Sequence, residues 1–257
     1  DGQQRALALT LCKQQDFPVP ICALVADDIQ TQRDQFIRIN NTRPLSKSLL
    51  SELLPEVDTL LPSRLAAKKV PAALCDLLNR DPKSPFFNLI KRVSTVSGKF
   101  GPSPEVITDT VLIRMLEHSL QDPGGCLFAY RDMNTGDTEF NKILRALYLF
   151  WDAVKTTWPE AWGLPSQKSR LMHGAGILAM GHLMDRMMWD INPEHTDAAT
   201  ILLRSLHRLK PHCHWTSGQW REVDNLEWNK VQNLHAHVRL LSNHLIRTYL
   251  SQGKANS

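Results

Sequence analysis

EFNKILRALYLFWDAVKTT (139–157) carries Ile143, Leu147, Phe150, Trp151 and Val154 at steps of four, three, one and three. That spacing gathers five large apolar side chains on one face of an α-helix and does not fit the two-residue period of a strand. The rest of the second half reads the same way. Residues 166–188 form a long helix with Gly174, Gly176 and Gly181 inside it, and residues 196–209 form another. Residues 226–250 close the chain with Val231, Leu234, Val238, Leu241 and Leu245 as a narrow stripe against a neighbour. Ahead of these, residues 104–120 predict a helix with Pro104 near its first turn and Val106, Ile113 and Leu116 near one face. Between them 132–140 reads as a linker, with Thr138 and Asn141 fitting a helix start.

The first half is more mixed. Residues 2–15 predict a helix, FPVPICALVA (17–26) a short strand, and residues 27–40 an amphipathic helix capped by Asp27 or Asp28. Residues 46–55 predict a short helix and 63–80 a helix that Pro71 breaks. PFFNLIKRVST (85–95) predicts a second strand and GKFGPSP (98–104) a loop. The expected class is therefore α+β and mostly α-helical: a small α/β part in residues 1–100 and a helical part in residues 104–250.

The bulk properties suit such a chain. It has 257 residues, 42% of them apolar and 22% charged, which is ample for a core and ordinary for a water-soluble domain. No apolar stretch approaches the roughly 20 residues that cross a bilayer. A net charge of +4 permits contact with nucleic acid without arguing strongly for it. Five scattered cysteines, Cys12, Cys22, Cys75, Cys126 and Cys213, form no C-x-x-C pair and read as reduced thiols of a cytoplasmic protein.

The candidate chemistry starts at DGQQR (1–5), an acid, a glycine, two amides and a guanidinium in front of the apolar run ALALTLC. A glycine before a helix lets the backbone approach a ligand closely. Free N–H groups at a helix N-terminus attract anions, and an arginine in the first turn can grip phosphate with two parallel hydrogen bonds. Glutamine can orient water or a sugar hydroxyl, and an aspartate can hold a metal. The same five residues also fit a solvated chain end. FIRINNTRPL (36–45) supports two readings as well: a helix C-cap followed by a proline turn, or a bend that aims Asn40, Thr42 and Arg43 at the phosphate turn.

DGQQR, the strand VPICALVA, FIRINNTRPLSKSLLSELL, and the later segments FWDAVKTTWPEAWG, KSRLMHGAGILAMGHLMD, WTSGQWREV and WNKVQNLHAHVRLLSNHLIRTYL together resemble the DGQHR-domain family. Its DndB-like and DpdB-like members are associated with DNA phosphorothioation and with 7-deazaguanine insertion into DNA, and its core is related to the ParB/sulfiredoxin superfamily. The resemblance implies that residues 1–100 are the remnant of a ParB/sulfiredoxin-like α/β lobe whose first strands precede Asp1, followed by a C-terminal helical bundle.

The same resemblance implies a nucleotide-binding, ATP-hydrolysing component of a bacterial DNA-modification system. Gly2, Gln3, Gln4, Arg5, Asn40 and Arg43 would bind the nucleotide, Gln4 and Arg5 would act in catalysis, and Asp1 would ligate Mg²⁺. The expected partners are DNA and other proteins of the system, with no membrane. The alternative is a non-enzymatic DNA-binding regulator of a modification operon. Gln4 departs from the family's histidine: it can donate and accept hydrogen bonds but cannot act as an acid or base.

Three further stretches invite a functional reading. In KSRLMHGAGILAMG (168–181) the glycines fit a close helix–helix approach or a groove beside Lys168, Ser169, Arg170 and His173. His173 and His182 lie nine residues apart on opposite helix faces and cannot share a metal. In HRLKPHCHW (207–215), His212, Cys213 and His214 are too crowded for one tetrahedral zinc site, and convergence of His207, His212, His214, His235 and His237 is not expected. The seven tryptophans read as core rather than as base-stacking platforms.

Overall fold

Helix α7 (Gly174–Met188) lies at the centre, with twelve of its fifteen residues buried. A helix apolar on every side has to be covered on every side, and α7 packs against α5 (Asp109–Gln121) and α9 (His235–Gly253). The computed structural model describes residues 3–11, 25, 28–40, 47–56, 63–92, 106–131 and 138–253. Outside the central trio, α6 (Phe140–Thr157) packs on α8 (Ala198–Leu209), and α4 (Ser63–Arg80) packs on α5 and on α3 (Lys47–Leu53). α1 (Gln3–Thr10) and α2 (Ile29–Asn40) complete the helices among the described residues.

Strands there are only two-residue pieces: β1 (Ile90–Lys91) pairs in parallel with β2 (Ile107–Thr108), and β3 (Gln219–Trp220) pairs antiparallel with β4 (Leu226–Glu227). The mostly helical class expected from the sequence is therefore observed. The strand expected over 17–26 and the loop over 98–104 lie outside the described residues, apart from the exposed Val25. Among the described residues no helix is long and apolar enough to cross a membrane.

The stripe that set the class is realised directly. Ile143, Leu147, Phe150, Trp151 and Val154 of α6 are all fully buried. The tryptophan reading holds for Trp151, Trp158, Trp215 and Trp220, which are buried, while Trp189 is exposed. Asp28 caps α2, its carboxylate accepting from the Thr31 N–H at 2.7 Å and the Thr31 hydroxyl at 2.8 Å. Cys75, Cys126 and Cys213 are free, and burial pushes the Cys75 thiol up to about 12.

Several boundaries move, each for an identifiable structural reason. α4 runs unbroken through Pro71, because Pro71, Ala72, Leu74, Cys75 and Leu78 are buried together and their packing outweighs one missing hydrogen bond. The strand expected over 85–95 shrinks to Ile90–Lys91. Residues 84–89 close as turns, Phe87 N–H donating to Ser84 O and Leu89 N–H to Phe86 O, and Asn88 sits in the left-handed region at φ 55°. α5 starts at Asp109 rather than 104, since Ile107 and Thr108 pair with β1 instead. α6 starts at Phe140 with Glu139 as its N-cap residue, so Thr138 and Asn141 do not form the start. The last helix starts at His235: Val231 is buried and Leu234 exposed, both ahead of it, beyond β4 and a 3₁₀ turn.

The helix expected over 166–188 begins only at Gly174, where His173 caps it, Nδ1 accepting from the Ala175 N–H at 3.3 Å. Burial first, and then the nearby Arg170, hold the His173 pKa below its ordinary 6.5. A depressed imidazole binds its proton less readily folded than unfolded, so stability is complete above about 6.5 and is lost as pH falls through that value toward the folded pKa. The urea midpoint is therefore expected to fall between about pH 7.5 and about pH 5.5, and to fall less in His173→Asn, which keeps an acceptor and does not titrate. Equal midpoint shifts in the two proteins would show that this cap is not the titrating element.

Candidate functional site

The polar centre of the described structure lies between α5, α7 and α9. It begins with a close approach. Gly181 has no side chain, and a Cβ there would lie 2.3 Å from Met115 Cγ, so α5 crosses α7 closely at this point. One turn further along α5 stands His118, and the next residue of α7 is His182; their rings meet edge to face with centroids 4.3 Å apart. Asp185, three residues beyond His182 and so on the same face of α7, points into the same place. One donor atom from each of His118, His182 and Asp185 lies within 4.8 Å of the others.

The turn after α5 holds the aspartate. In Asp122-Pro123-Gly124-Gly125 the Asp122 carboxylate accepts from the Gly124 N–H at 2.8 Å and the Asp122 carbonyl from the Gly125 N–H at 2.8 Å, a turn these residue types favour. Gly125 rests on the backbone of Ser119, where a Cβ would lie 2.1 Å from the Ser119 carbonyl oxygen. The turn thereby delivers the Cys126 N–H to Asp185 Oδ1 at 3.0 Å. The Ser119 hydroxyl donates to the same oxygen and accepts from the Leu127 N–H at 3.3 Å. With Oδ1 so occupied, Asp185 presents Oδ2 to the cleft, 3.6 Å from His118 Nδ1, while Asp122 stands 3.8 Å from His118 Nε2.

The electrostatics follow from these positions. The Asp185 carboxylate raises the His118 pKa, against the opposing effect of burial. Burial lowers that of His182, with His118 and Arg114 adding repulsion. Burial, with Asp185 beside it, pushes the Cys126 thiol well up, so it stays protonated and is a poor ligand. The cleft measures about 550 Å³ and is also lined by Arg114, Arg186, His235, Arg239 and Asn243. Arg186 pairs with Asp190 at 2.9 Å, whereas Arg114 and Arg239 form no ion pair with a carboxylate among the described residues. Two imidazoles and a carboxylate can hold a divalent cation, and the arginines favour an anion beside it.

The residues singled out from the sequence for a nucleotide site are not among the described residues that line this cleft. Asp1, Gly2 and Arg43 lie outside the described residues. Gln3, Gln4 and Arg5 form the first turn of α1, and Asn40 is the last residue of α2, but their side chains lie outside what is described. Leu7 and Leu9 of α1 and Leu11 just after it are exposed.

In the stretch 168–173, Arg170 donates to the carbonyls of Ser166 and Asn229 and His173 is a cap, while Ser169 is fully buried with no hydrogen-bond partner for its hydroxyl among the described residues. Among the described residues His207, His212, His214, His235 and His237 form no ligand cluster. Three of them make other contacts: the His207 ring lies at Leu203 O, the His212 carbonyl at the His244 ring, and His237 Nδ1 accepts from the Gln232 N–H.

Sequence reasoning missed His118 and Asp185. A signal existed in HLMD (182–185) and HSLQD (118–122), whose i,i+3 and i,i+4 spacings put ligand types on one helix face. What one helix could not show was that the two faces meet. Comparison with family models, with curated proteins and with solved structures finds no match for this chain.

Proposed function

We propose that this chain is the nucleotide-binding component of a DNA-modification system, of the kind its resemblance to the DGQHR-domain family implies. The observation that supports the reading is the start of α1 at Gln3, directly behind Gly2, which makes Gln3, Gln4 and Arg5 the first turn of an eight-residue helix. The first N–H groups of a helix have no partner inside it and suit a phosphate, and a guanidinium in that turn suits the same anion. α2 ends at Asn40, which is compatible with the bend toward Arg43 and equally with a plain helix C-cap.

In this reading Arg5 and the start of α1 behind Gly2 hold the phosphates of ATP, Gln3 and Gln4 position ribose or water, Arg43 adds charge, Asn40 hydrogen-bonds the nucleotide, and Asp1 ligates Mg²⁺. The magnesium ion supplies neutralisation of phosphate charge. Gln4 orients water and Arg5 stabilises negative charge during hydrolysis; no proton passes through Gln4, whose amide is neither an acid nor a base at neutral pH. The protein would work in the cytoplasm, on DNA directly or through partner enzymes.

Calorimetric titration of the full chain with ATP and Mg²⁺ tests the assignment. Arg5→Ala is expected to weaken ATP binding by about tenfold or more, the value of one charge-assisted contact of 1.5–3 kcal/mol. Equal affinity of the two proteins would refute the role given to Arg5. The second reading, a non-enzymatic DNA-binding regulator, is favoured by Arg114 and Arg239 beside the cleft without carboxylate partners among the described residues. Duplex affinity that falls steeply with salt, together with no ATP turnover, would select it.

A further inference from the structure

We propose that His118, His182 and Asp185 form a binding site for a divalent transition metal of the zinc class, with an open coordination position that takes a phosphate oxygen. This site is built from other residues than the opening turn and does not rest on the nucleotide reading given above.

The donor geometry points to an ion. His118 Nδ1 and Asp185 Oδ2 stand 3.6 Å apart, too far for a good hydrogen bond. Two ligands of one tetrahedral zinc ion lie roughly 3.3 Å apart, given metal–ligand distances of about 2.0–2.1 Å. All three donors fall within 4.8 Å of one another, so modest side-chain motion closes them on an ion. Two imidazoles and one carboxylate suit zinc, cobalt or iron better than magnesium or calcium, which favour all-oxygen shells.

The surroundings are those of a ligand set. Asp185 is 8% exposed and is oriented by the Ser119 hydroxyl and the Cys126 N–H, which leave its other oxygen to the cleft. Asp122 stands on the far side of the His118 ring, 3.8 Å from Nε2, close enough to act electrostatically on a ring whose Nδ1 is bound to metal but too far for a direct hydrogen bond. Metal-binding histidines and carboxylates typically carry such outer partners. Three protein ligands leave a fourth position open, as in zinc sites that engage a substrate or water. That position opens on a cleft of about 550 Å³, within the range of small-molecule sites. Arg114 and Arg239 line it without a carboxylate partner among the described residues. Fixed cations beside a divalent ion repel a second metal and attract an anion, and phosphate matches both the guanidinium groups and the open position.

The test is titration of the full chain with Zn²⁺ by calorimetry and with Co²⁺ by visible absorption, each with and without inorganic phosphate. One tight equivalent is expected, with the strong absorption of a four-coordinate cobalt ion, and the band should shift when phosphate is added. His118→Ala removes a half-exposed side chain, so its fold is checked by thermal unfolding, and it should lose at least about 100-fold in affinity. Ser119→Ala should lose about 10–100-fold by releasing Asp185. His207→Ala, an exposed histidine outside the cleft, should bind like the parent. Equal affinities of the parent and His118→Ala would overturn the site. Tight metal binding with a cobalt band indifferent to phosphate would overturn the open position's assignment to a phosphate oxygen.

Discussion

Trp151→Ala is expected to lower the unfolding free energy by about 3–5 kcal/mol, the usual cost of emptying a large aromatic site in a core. Trp151 is fully buried, with ring centroids of Phe86 at 5.0 Å, Phe150 at 5.4 Å and Trp162 at 6.1 Å. Phe86 comes from the turns between α4 and β1, so this tryptophan joins the first part of the chain to the helical body. Truncation removes apolar burial and the edge-to-face contacts together. Trp151→Phe, which keeps a ring against Phe86, should cost roughly half as much. Denaturant unfolding measures both, and a loss below about 1 kcal/mol for the alanine variant would mean that the site repacks.

The second large effect is expected at Gly176→Ala, a change that looks stabilising from the sequence. Alanine is the better helix former by about 1 kcal/mol. A Cβ at 176, however, would lie 2.1 Å from the Arg170 carbonyl oxygen and 2.5 Å from that of Leu171. These are backbone atoms, and the segment is tied down: the Arg170 N–H donates to Trp215 O at 2.8 Å and its guanidinium to Ser166 O at 2.7 Å. The clash cannot be relieved by turning a side chain, so a net loss of about 3 kcal/mol is expected. Gly181→Ala is the comparison. Its Cβ meets Met115, an unbranched side chain that can move, and the loss should be smaller, about 1–2 kcal/mol. Thermal unfolding of the pair reads the difference, and a Gly176→Ala protein as stable as the parent would show that the segment before α7 yields freely.

The legible parts of the fold are those with a strong local period. The α6 stripe, the length of α8 and the Asp28 cap of α2 could all be read from neighbours in sequence, because the forces that set them act within one or two helical turns. The misread boundaries share one cause. Pro71 should break α4, residues 85–95 look like a strand, and Val231 continues the α9 stripe. In each case a contact distant in sequence overrides the local preference: burial around Pro71, the turns that set Phe86 against Trp151, and the core position of Val231 ahead of its helix.

The site divides in the same way. His182 and Asp185 share a face by spacing alone, and the Asp-Pro-Gly-Gly turn after α5 is written in four consecutive residues. That His118 belongs with them is a property of the α5–α7 crossing at Gly181, which brings it to His182 across 64 positions of sequence. The chain's order of amino acids was therefore enough to establish a mostly helical protein, the faces its helices bury and the chemical types it carries. Only the tertiary structure decided which faces meet, and with them the pairing of two histidines and an aspartate. Helical period is a short-range property of the backbone, whereas the meeting of two helices depends on side-chain volumes far apart in the chain, here on the missing Cβ of one glycine.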